Sequence, residues 1–254
     1  MSKDDEYTNH LLLNLRSQFV TRESSWDQVI IQKAIPISDT AMLLCDLWDK
    51  HWCSAAAKRS ADIAGRTNEV VRAARKNGVQ IIHSPSGTMD FYVSTNQRIR
   101  MVEITKIIPP EPIEISAPPP LPIDDSDGGC DSEESLARSV WTRQHEAIEI
   151  GDGDVISDDG EEIYSFMIHS GINNLIVAGV HLNMCVLNRT FGIKKMIGWG
   201  INCVLVRDLT DAMYNPGTVP YVTHDRGTDL VIEYIERHWC PSILSDDLIE
   251  KYSV

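Results

Sequence analysis

The sequence predicts an α/β protein with a doubly wound, mostly parallel six-stranded sheet and helices on both faces, a three-layer α/β/α fold of Rossmann-like type. Short, nearly continuous apolar runs, as in residues 40–47 and 174–180, are typical of strands buried on both faces of a parallel sheet. These runs alternate with segments of helical spacing, which indicates right-handed crossover connections. A chain of 254 residues is long enough for one large domain of this kind.

The N-terminal region differs in pattern from the rest. Residues 1–38 show no regular periodicity, although residues 27–35 could form a short edge strand. We therefore expect an N-terminal arm that lies on a domain formed by residues 39–254.

The first half of the domain begins with a strand over residues 40–47. A helix is predicted over residues 53–77, and Gly78 stands where a C-terminal cap belongs. Residues 79–83 (VQIIH) predict the second buried strand, and residues 139–143 (SVWTR) a short third one.

An insertion separates the second and third strands. Residues 108–134 contain seven prolines, two adjacent glycines and many acids, which predicts a long loop. Its acidic run, residues 124–130, lacks the glutamate that a calcium-binding EF-hand loop requires, so a solvated acidic turn is expected. The loop could also fold over the site as a lid.

The second half repeats the alternation most clearly. Gly171 caps the first of its helices, and the last strand is a short one at the sheet edge. The predicted elements are a helix over 158–170, a strand over 174–180, a helix over 184–200, a strand over 201–207, a helix over 228–237 and an edge strand over 242–244.

Composition restricts the function and the cellular setting. The formal net charge of −14 argues against a nucleic-acid partner, because such binding depends on clustered Lys and Arg. No signal peptide and no apolar run of about 18 residues is visible, which predicts a cytoplasmic protein without a membrane partner. Six cysteines without a CxxC pair favour free thiols over a disulfide framework.

Reactive side chains follow the predicted strands, where ligands bind in open parallel sheets. Asp46 ends the first strand, Arg143 the third, and Cys185 follows the fourth at the start of a helix. A thiol there experiences the positive end of the helix, which lowers its pKa, and nearby backbone N–H groups can stabilise an oxyanion. Cys45 and Cys203 lie within apolar strands and fit the simpler role of small core residues.

The desolvated carboxylate of Asp46 could accept the thiol proton and pass it on to a leaving amine. A structural cap or a buried ion pair is the alternative role for Asp46. Arg143 could hold this carboxylate ionised, or simply pair with it structurally.

These segments resemble a known family. Residues 175–186 (LIVAGVHLNMCV) resemble the nucleophile segment of the isochorismatase-like cysteine hydrolases, which include nicotinamidases and N-carbamoylsarcosine amidase. Residues 44–49 (LCDLWD) resemble the family's first strand and catalytic aspartate, and residues 202–212 its fifth strand. The resemblance covers roughly residues 40–100 and 138–240.

The resemblance implies a Cys–Asp–Lys triad that cleaves a carbonyl substrate through a thioester. Cys185 would be the nucleophile and Asp46 the general base. A cis peptide bond before His181 would turn the backbone N–H groups of His181 and Cys185 into an oxyanion hole. Arg143 stands where the family has lysine, and arginine keeps the charge but cannot transfer a proton.

The resemblance also suggests which other residues shape the site. The amidase branch often binds a metal ion through an acid and two histidines, but here the matching region has a single histidine, so neither a metal nor another cofactor is expected. For each candidate pocket residue, a packing or capping role is about as plausible as a ligand contact. The candidates are Trp48, His51, His83, Asp90, Tyr92 and Asn183.

Two functions of different class remain open. The first is a hydrolase of amidase type that acts on a small amide, carbamoyl or related carbonyl substrate, and the cysteine argues against isochorismate cleavage itself. The second is a non-catalytic or weakened relative that binds a small ligand or a protein partner, suggested by Arg143. A dinucleotide-binding dehydrogenase is disfavoured because no G-x-G-x-x-G follows the first strand. A homo-oligomer is expected from the resemblance, with the N-terminal arm as a possible contact.

Overall fold

A mixed eight-stranded β-sheet forms the centre of the computed structural model, which describes residues 9–113, 118–134 and 138–249. The strands are β1 (His10–Val20), β2 (Trp26–Pro36), β3 (Thr40–Cys45), β4 (Gln80–Ser84), β5 (Val155–Ile156), β6 (Asn174–Val180), β7 (Asn202–Asp211) and β8 (Ser242–Ile243). Their order in the sheet is β2-β1-β8-β7-β6-β3-β4-β5. Strands β3 to β8 run parallel to one another, whereas β1 pairs antiparallel with both β2 and β8.

Helices cover both faces of this sheet. The helices are α1 (Ser54–Lys76), α2 (Met89–Tyr92), α3 (Asn96–Val102), α4 (Gly160–His169), α5 (Ile193–Gly198), α6 (His224–His238) and α7 (Asp246–Ile249). Side chains along a strand point alternately to the two faces of the sheet, so the core has two layers, and Leu43 and Leu44 of β3 belong to different ones. One layer contains side chains of α1 and α7, and the other contains side chains of α3 to α6.

The α/β fold class is confirmed, but the sheet has eight strands instead of six. The N-terminal region supplies the difference. Strand β2 confirms the edge strand expected over residues 27–35, whereas β1, which was not predicted, joins it to the rest of the sheet. Strand β1 escaped prediction because its apolar run, residues 11–13, is only three residues long and the residues after it do not alternate regularly between apolar and polar. Residues 1–8 of the predicted arm lie outside the described residues.

The predicted third strand, residues 139–143, is not a strand. The nearest pairing is an isolated bridge between Trp48 and Gln144. The partner of β4 is instead the two-residue strand β5, which lies after this segment in the chain.

The helix predicted over residues 184–200 is divided. A π-helical turn, Leu182–Val186, follows β6, and α5 begins only at Ile193. The Asn188 side-chain amide donates to the carbonyls of Asn183 and Met184. In a continuous helix, backbone N–H groups of the next turn would bond to these carbonyls instead.

Within the described part of the insertion, residues 108–113 and 118–134, there is no helix or strand. A disulfide joins Cys130 of this loop to Cys53 before α1, with Cα atoms 5.8 Å apart. The expectation of free thiols is therefore wrong for Cys53 and Cys130. The two cysteines are 77 residues apart in the sequence, and this spacing does not predict that they pair. No helix in the described ranges is long and apolar enough to cross a lipid bilayer.

Candidate active site

Asp46 lies directly after β3 and is completely buried. Its backbone has φ +49°, a left-handed conformation that aspartate tolerates better than most residues. One carboxylate oxygen accepts a 2.7 Å hydrogen bond from the backbone N–H of Ser86, and the other accepts a 3.0 Å bond from Nε of Arg189. The carboxylate is therefore oriented from two sides.

A glycine brings the neighbouring strand close to this carboxylate. Gly179 of β6 has φ +120° and lies against the backbone of Cys45, where a Cβ atom would overlap the Cys45 carbonyl. Only glycine permits this approach. It places the start of the π-helical turn, and with it Cys185, beside Asp46.

Cys185 lies within the π-helical turn and is partly exposed. Its thiol lies close enough to the Asp46 carboxylate for the two groups to shift each other's pKa, and the peptide bond between Val180 and His181 is cis, as the resemblance implies. Burial and, after it, the negative charge of Asp46 raise the pKa of the Cys185 thiol to about 12, although Arg189 and the His181 backbone act in the opposite direction. The expected lowering of this pKa by a helix end is thus outweighed.

The pKa of Asp46 is raised as well, chiefly because burial disfavours the carboxylate. Arg189, the Cys185 thiol and the Ser86 N–H oppose this shift. In the resting pair the proton therefore resides on sulfur, next to a carboxylate of increased basicity. Such a pair can transfer the proton when the sulfur attacks a carbonyl carbon.

The cation beside Asp46 is Arg189, not Arg143. The Arg143 side chain is 42% exposed, faces Glu146 at 3.6 Å and lies over the ring of Phe91. The prediction for Arg143 depended on a third strand that does not form. Arg189 donates its backbone N–H to the Cys185 carbonyl, so the two residues lie one helical turn apart, and this i, i+4 spacing was the available sequence signal.

A cavity of about 30 Å³ lies at this end of the sheet, lined by Trp48 and His51, two of the predicted pocket residues, together with Ser60 and His181. His51 packs edge-on against His181, with ring centroids 4.8 Å apart. Burial lowers the pKa of both imidazoles, that of His181 to about 3, so His181 is neutral. Nε2 of His181 and Oγ of Ser60 find no hydrogen-bond partner among the described residues, so polar groups line this space.

Trp48 is also part of a stack of aromatic side chains. Its ring lies parallel to that of Trp141 at 4.1 Å, and its indole N–H donates to the Ser86 carbonyl. Asp49 accepts from the backbone N–H and hydroxyl of Thr142, which holds the segment carrying Trp141 in place. The aromatic wall is thus attached to the same loop that orients Asp46.

The other predicted pocket residues have different surroundings. Buried His83 hydrogen-bonds to Gln144 and Asp154, and the Tyr92 hydroxyl accepts from the Gln144 backbone. Asp90 is exposed on α2.

The Asn183 side chain is also engaged in structural contacts. Its amide group bonds to both backbone groups of Met213 and to the carboxylate of Asp125 in the insertion.

Among the described residues, one group could hold a metal ion: Cys53, Cys130 and Glu134. The two sulfur atoms of this group are joined in the disulfide, and metal binding requires thiolates. The group also differs from the acid and two histidines of the amidase branch, so the residues described here do not fit that metal site.

The architecture has relatives among solved structures. A cysteine hydrolase from Pseudomonas syringae pv. phaseolicola 1448A matches with a TM-score of 0.53 and 17% identity over 85% of this chain and 92% of that one. An isochorismatase from Pseudomonas putida KT2440 matches with a TM-score of 0.51 and 15% identity over 84% and 91%. No protein-family model and no curated protein sequence matches the chain. The chain has the fold of the isochorismatase-like cysteine hydrolases, as its sequence predicts.

Proposed function

We propose that this protein is a cysteine-dependent hydrolase that cleaves a small amide, carbamoyl or related carbonyl substrate through a covalent thioester. The observation that carries this proposal is the pairing of the Cys185 thiol with the buried Asp46 carboxylate, which lie close enough for each to shift the pKa of the other. A basic carboxylate beside a protonated thiol is what nucleophilic catalysis requires when no thiolate is present beforehand.

The steps use a single proton carrier. As sulfur attacks the carbonyl carbon, Asp46 takes the thiol proton, and the carbonyl oxygen becomes an oxyanion near the backbone N–H groups of His181 and Cys185. When the C–N bond breaks, Asp46 gives that proton to the leaving amine. Water then attacks the thioester while Asp46 accepts a proton from it, and this proton returns to the departing sulfur.

Arg189 has an electrostatic role in this scheme. A guanidinium does not give up its proton, so it remains positive throughout and compensates the negative charge shared by Asp46 and Cys185. This arrangement assigns all proton transfers to Asp46, whereas a lysine could also take part in them.

One observation favours the alternative of a non-catalytic ligand-binding relative. The cavity of about 30 Å³ has room for little more than water, and neither Asp46 nor Cys185 is among the residues that line it. A hydrolase must bring its substrate to the Cys185 sulfur, whereas a ligand-binding relative need not.

The two functions are separated by a search for an acyl-enzyme. The protein is incubated with p-nitrophenyl acetate, then with a panel of primary carboxamides and N-carbamoyl compounds, and analysed by intact-protein mass spectrometry and product release. We expect acylation at Cys185 and loss of both signals in Cys185→Ala. Cys203→Ala is the matched control, because Cys203 is a free cysteine that is 4% exposed in the core.

Acylation of a cysteine other than Cys185, or unchanged turnover in Cys185→Ala, would contradict the proposal. A folded protein without acylation by any probe would favour the non-catalytic alternative.

A further inference from the structure

Strand β2 forms one edge of the sheet and is unusually open. It pairs with β1 over its full 11 residues without a bulge, and within the described chain no strand pairs with its other edge. Ile30 and Ile31 at its centre are each 60% exposed and point to opposite faces of the sheet. Neither isoleucine belongs to a core cluster of the described residues.

Natural edge strands are normally protected by charged side chains, especially lysine, and by prolines, bulges or short length. Strand β2 carries two charged residues, Asp27 and Lys33, but it is long and has neither a bulge nor a proline before Pro36, its last residue. Its long regular edge therefore offers a row of backbone donors and acceptors together with exposed branched side chains, which is what strand addition requires.

The distribution of charge along β2 indicates which partner fits. Asp27 and Lys33 lie three residues on either side of Ile30, and neither forms an ion pair among the described residues. If two copies of β2 pair antiparallel about Ile30, Asp27 of each copy faces Lys33 of the other. The same register sets Val29 opposite Ile31. Opposite charges and branched pairs directly across an antiparallel ladder stabilise it.

Neighbouring registers lose this complementarity. In an antiparallel pair, the outward-facing backbone groups of the two strands stay paired only if one strand slides along the other by an even number of residues. Centred on Val29, the pairing sets Asp27 opposite Ile31. Centred on Ile31, it sets Lys33 opposite Val29. Only the Ile30-centred register matches both charges.

We propose that β2 is a self-association strand, through which two copies of this chain pair antiparallel about Ile30 and join their eight-stranded sheets into one. The contact is isologous, because each copy presents the same strand to the other and both free edges are used. It is remote from Asp46 and Cys185 in the sheet order and does not depend on the proposed hydrolase activity.

Charge reversal tests the partner and the register together. Sedimentation velocity and light scattering of the full chain are expected to show a dimer. Asp27→Lys and Lys33→Asp each place like charges opposite one another, and each is expected to raise the dimer dissociation constant at least tenfold. The double variant Asp27→Lys/Lys33→Asp restores opposite charges and is expected to recover dimerisation.

Cross-linking provides a second test with a matched control. Ile30→Cys sets the new thiol opposite its own copy, so mild oxidation is expected to give a covalent dimer. Ile31→Cys has the same initial exposure but faces Val29 of the other copy, and it is expected to cross-link much less. A monomer at all concentrations, a dimer indifferent to the charge reversals, or equal cross-linking of the two variants would overturn the proposal.

Discussion

Two buried aspartates, Asp46 and Asp211, lie at the carboxyl ends of β3 and β7, on either side of β6. They differ in the number of cationic groups that face the carboxylate. Asp46 faces one cation, Arg189, and a thiol. Asp211 accepts from Arg59 at 2.9 Å and from His224 at 2.8 Å, so two cationic groups face it.

The pKa values follow this difference in partners. The pKa of Asp46 is raised, because burial outweighs its stabilising contacts, whereas that of Asp211 is lowered by His224 and Arg59. Burial alone therefore does not make a buried carboxylate a base. The number of cationic donors around it decides whether it accepts a proton or holds elements together.

The Asp211 group connects several parts of the structure. Arg59 of α1 also binds Asp131 of the insertion with two hydrogen bonds, of 2.8 and 3.0 Å. His224, at the start of α6, faces the Tyr214 carbonyl with its second ring nitrogen. Since both nitrogens of His224 face acceptors, the imidazolium form fits best, and its pKa is raised by Asp211.

The largest expected effect comes from removing the base. Asp46→Asn is expected to reduce turnover of the substrate found in the acylation search by about 10³-fold or more, because a neutral amide cannot accept the thiol proton. Its free energy of unfolding at neutral pH should stay the same or rise, since an acid with a raised pKa destabilises the folded state when ionised. Steady-state kinetics and urea denaturation measure the two effects. Wild-type turnover by Asp46→Asn would contradict the assignment.

The corresponding change at the other aspartate should reverse the pattern. Asp211→Asn leaves Arg59 and His224 without their carboxylate and is expected to lower the free energy of unfolding by about 3 kcal/mol, with turnover of the folded protein largely kept. The pKa of Asp211 is lower in the folded protein than in the unfolded chain, so Asp211 stabilises the fold at pH values above its unfolded pKa. This stability is lost as the pH falls through the folded pKa. The variant should therefore lose less stability on acidification. Equal acid sensitivity of the two proteins would count against this account.

Arg189 provides an intermediate test. Arg189→Met is expected to reduce turnover by about 10-fold to 100-fold and to move the acid limb of the pH–rate profile to higher pH. The direction follows because Arg189 lowers the pKa of Asp46, so its removal raises that pKa further. Arg189→Lys, which keeps the charge, should shift the profile less. Arg143→Met is the control and should leave the acid limb unchanged, because Arg143 does not contact Asp46 in the structure.

The smallest expected effect concerns His224. Because its folded pKa is raised, it stabilises the protein fully below the unfolded pKa, and this stabilisation is lost as pH rises through the folded value. His224→Gln should lower stability by about 1 kcal/mol near pH 6 and by less near pH 9. Thermal unfolding at both pH values measures the difference. A larger loss at the higher pH would have the wrong sign.

The central strands could be predicted from the sequence because apolar runs are typical of buried parallel strands. The Asp46–Cys185 pair could be predicted because the carboxyl ends of such strands meet at one edge of the sheet. Sequence reasoning missed Arg189, because a helical spacing of four shows that two residues are neighbours but not that a long side chain extends to a carboxylate on another strand. Arg143 was misplaced because the strand that was expected to carry it does not exist.

Other features had no local signal. Strand β1 alternates only weakly, since much of its length is half-buried next to the exposed β2. The Cys53–Cys130 disulfide joins segments 77 residues apart, and the pKa of Cys185 depends on burial, which a helix-end argument leaves out.

The central claim is that Cys185 is a neutral thiol at rest, with Asp46 as the base that removes its proton. Thiolate formation by Cys185 can be followed by ultraviolet absorbance as the difference between the unsubstituted protein and Cys185→Ala during a pH titration. We expect no thiolate from Cys185 until well above the ordinary thiol pKa of about 8.5, in line with a pKa of about 12, and a lower pKa in Asp46→Asn. A thiolate that forms below about pH 8.5, or a thiol pKa unchanged by Asp46→Asn, would contradict the account.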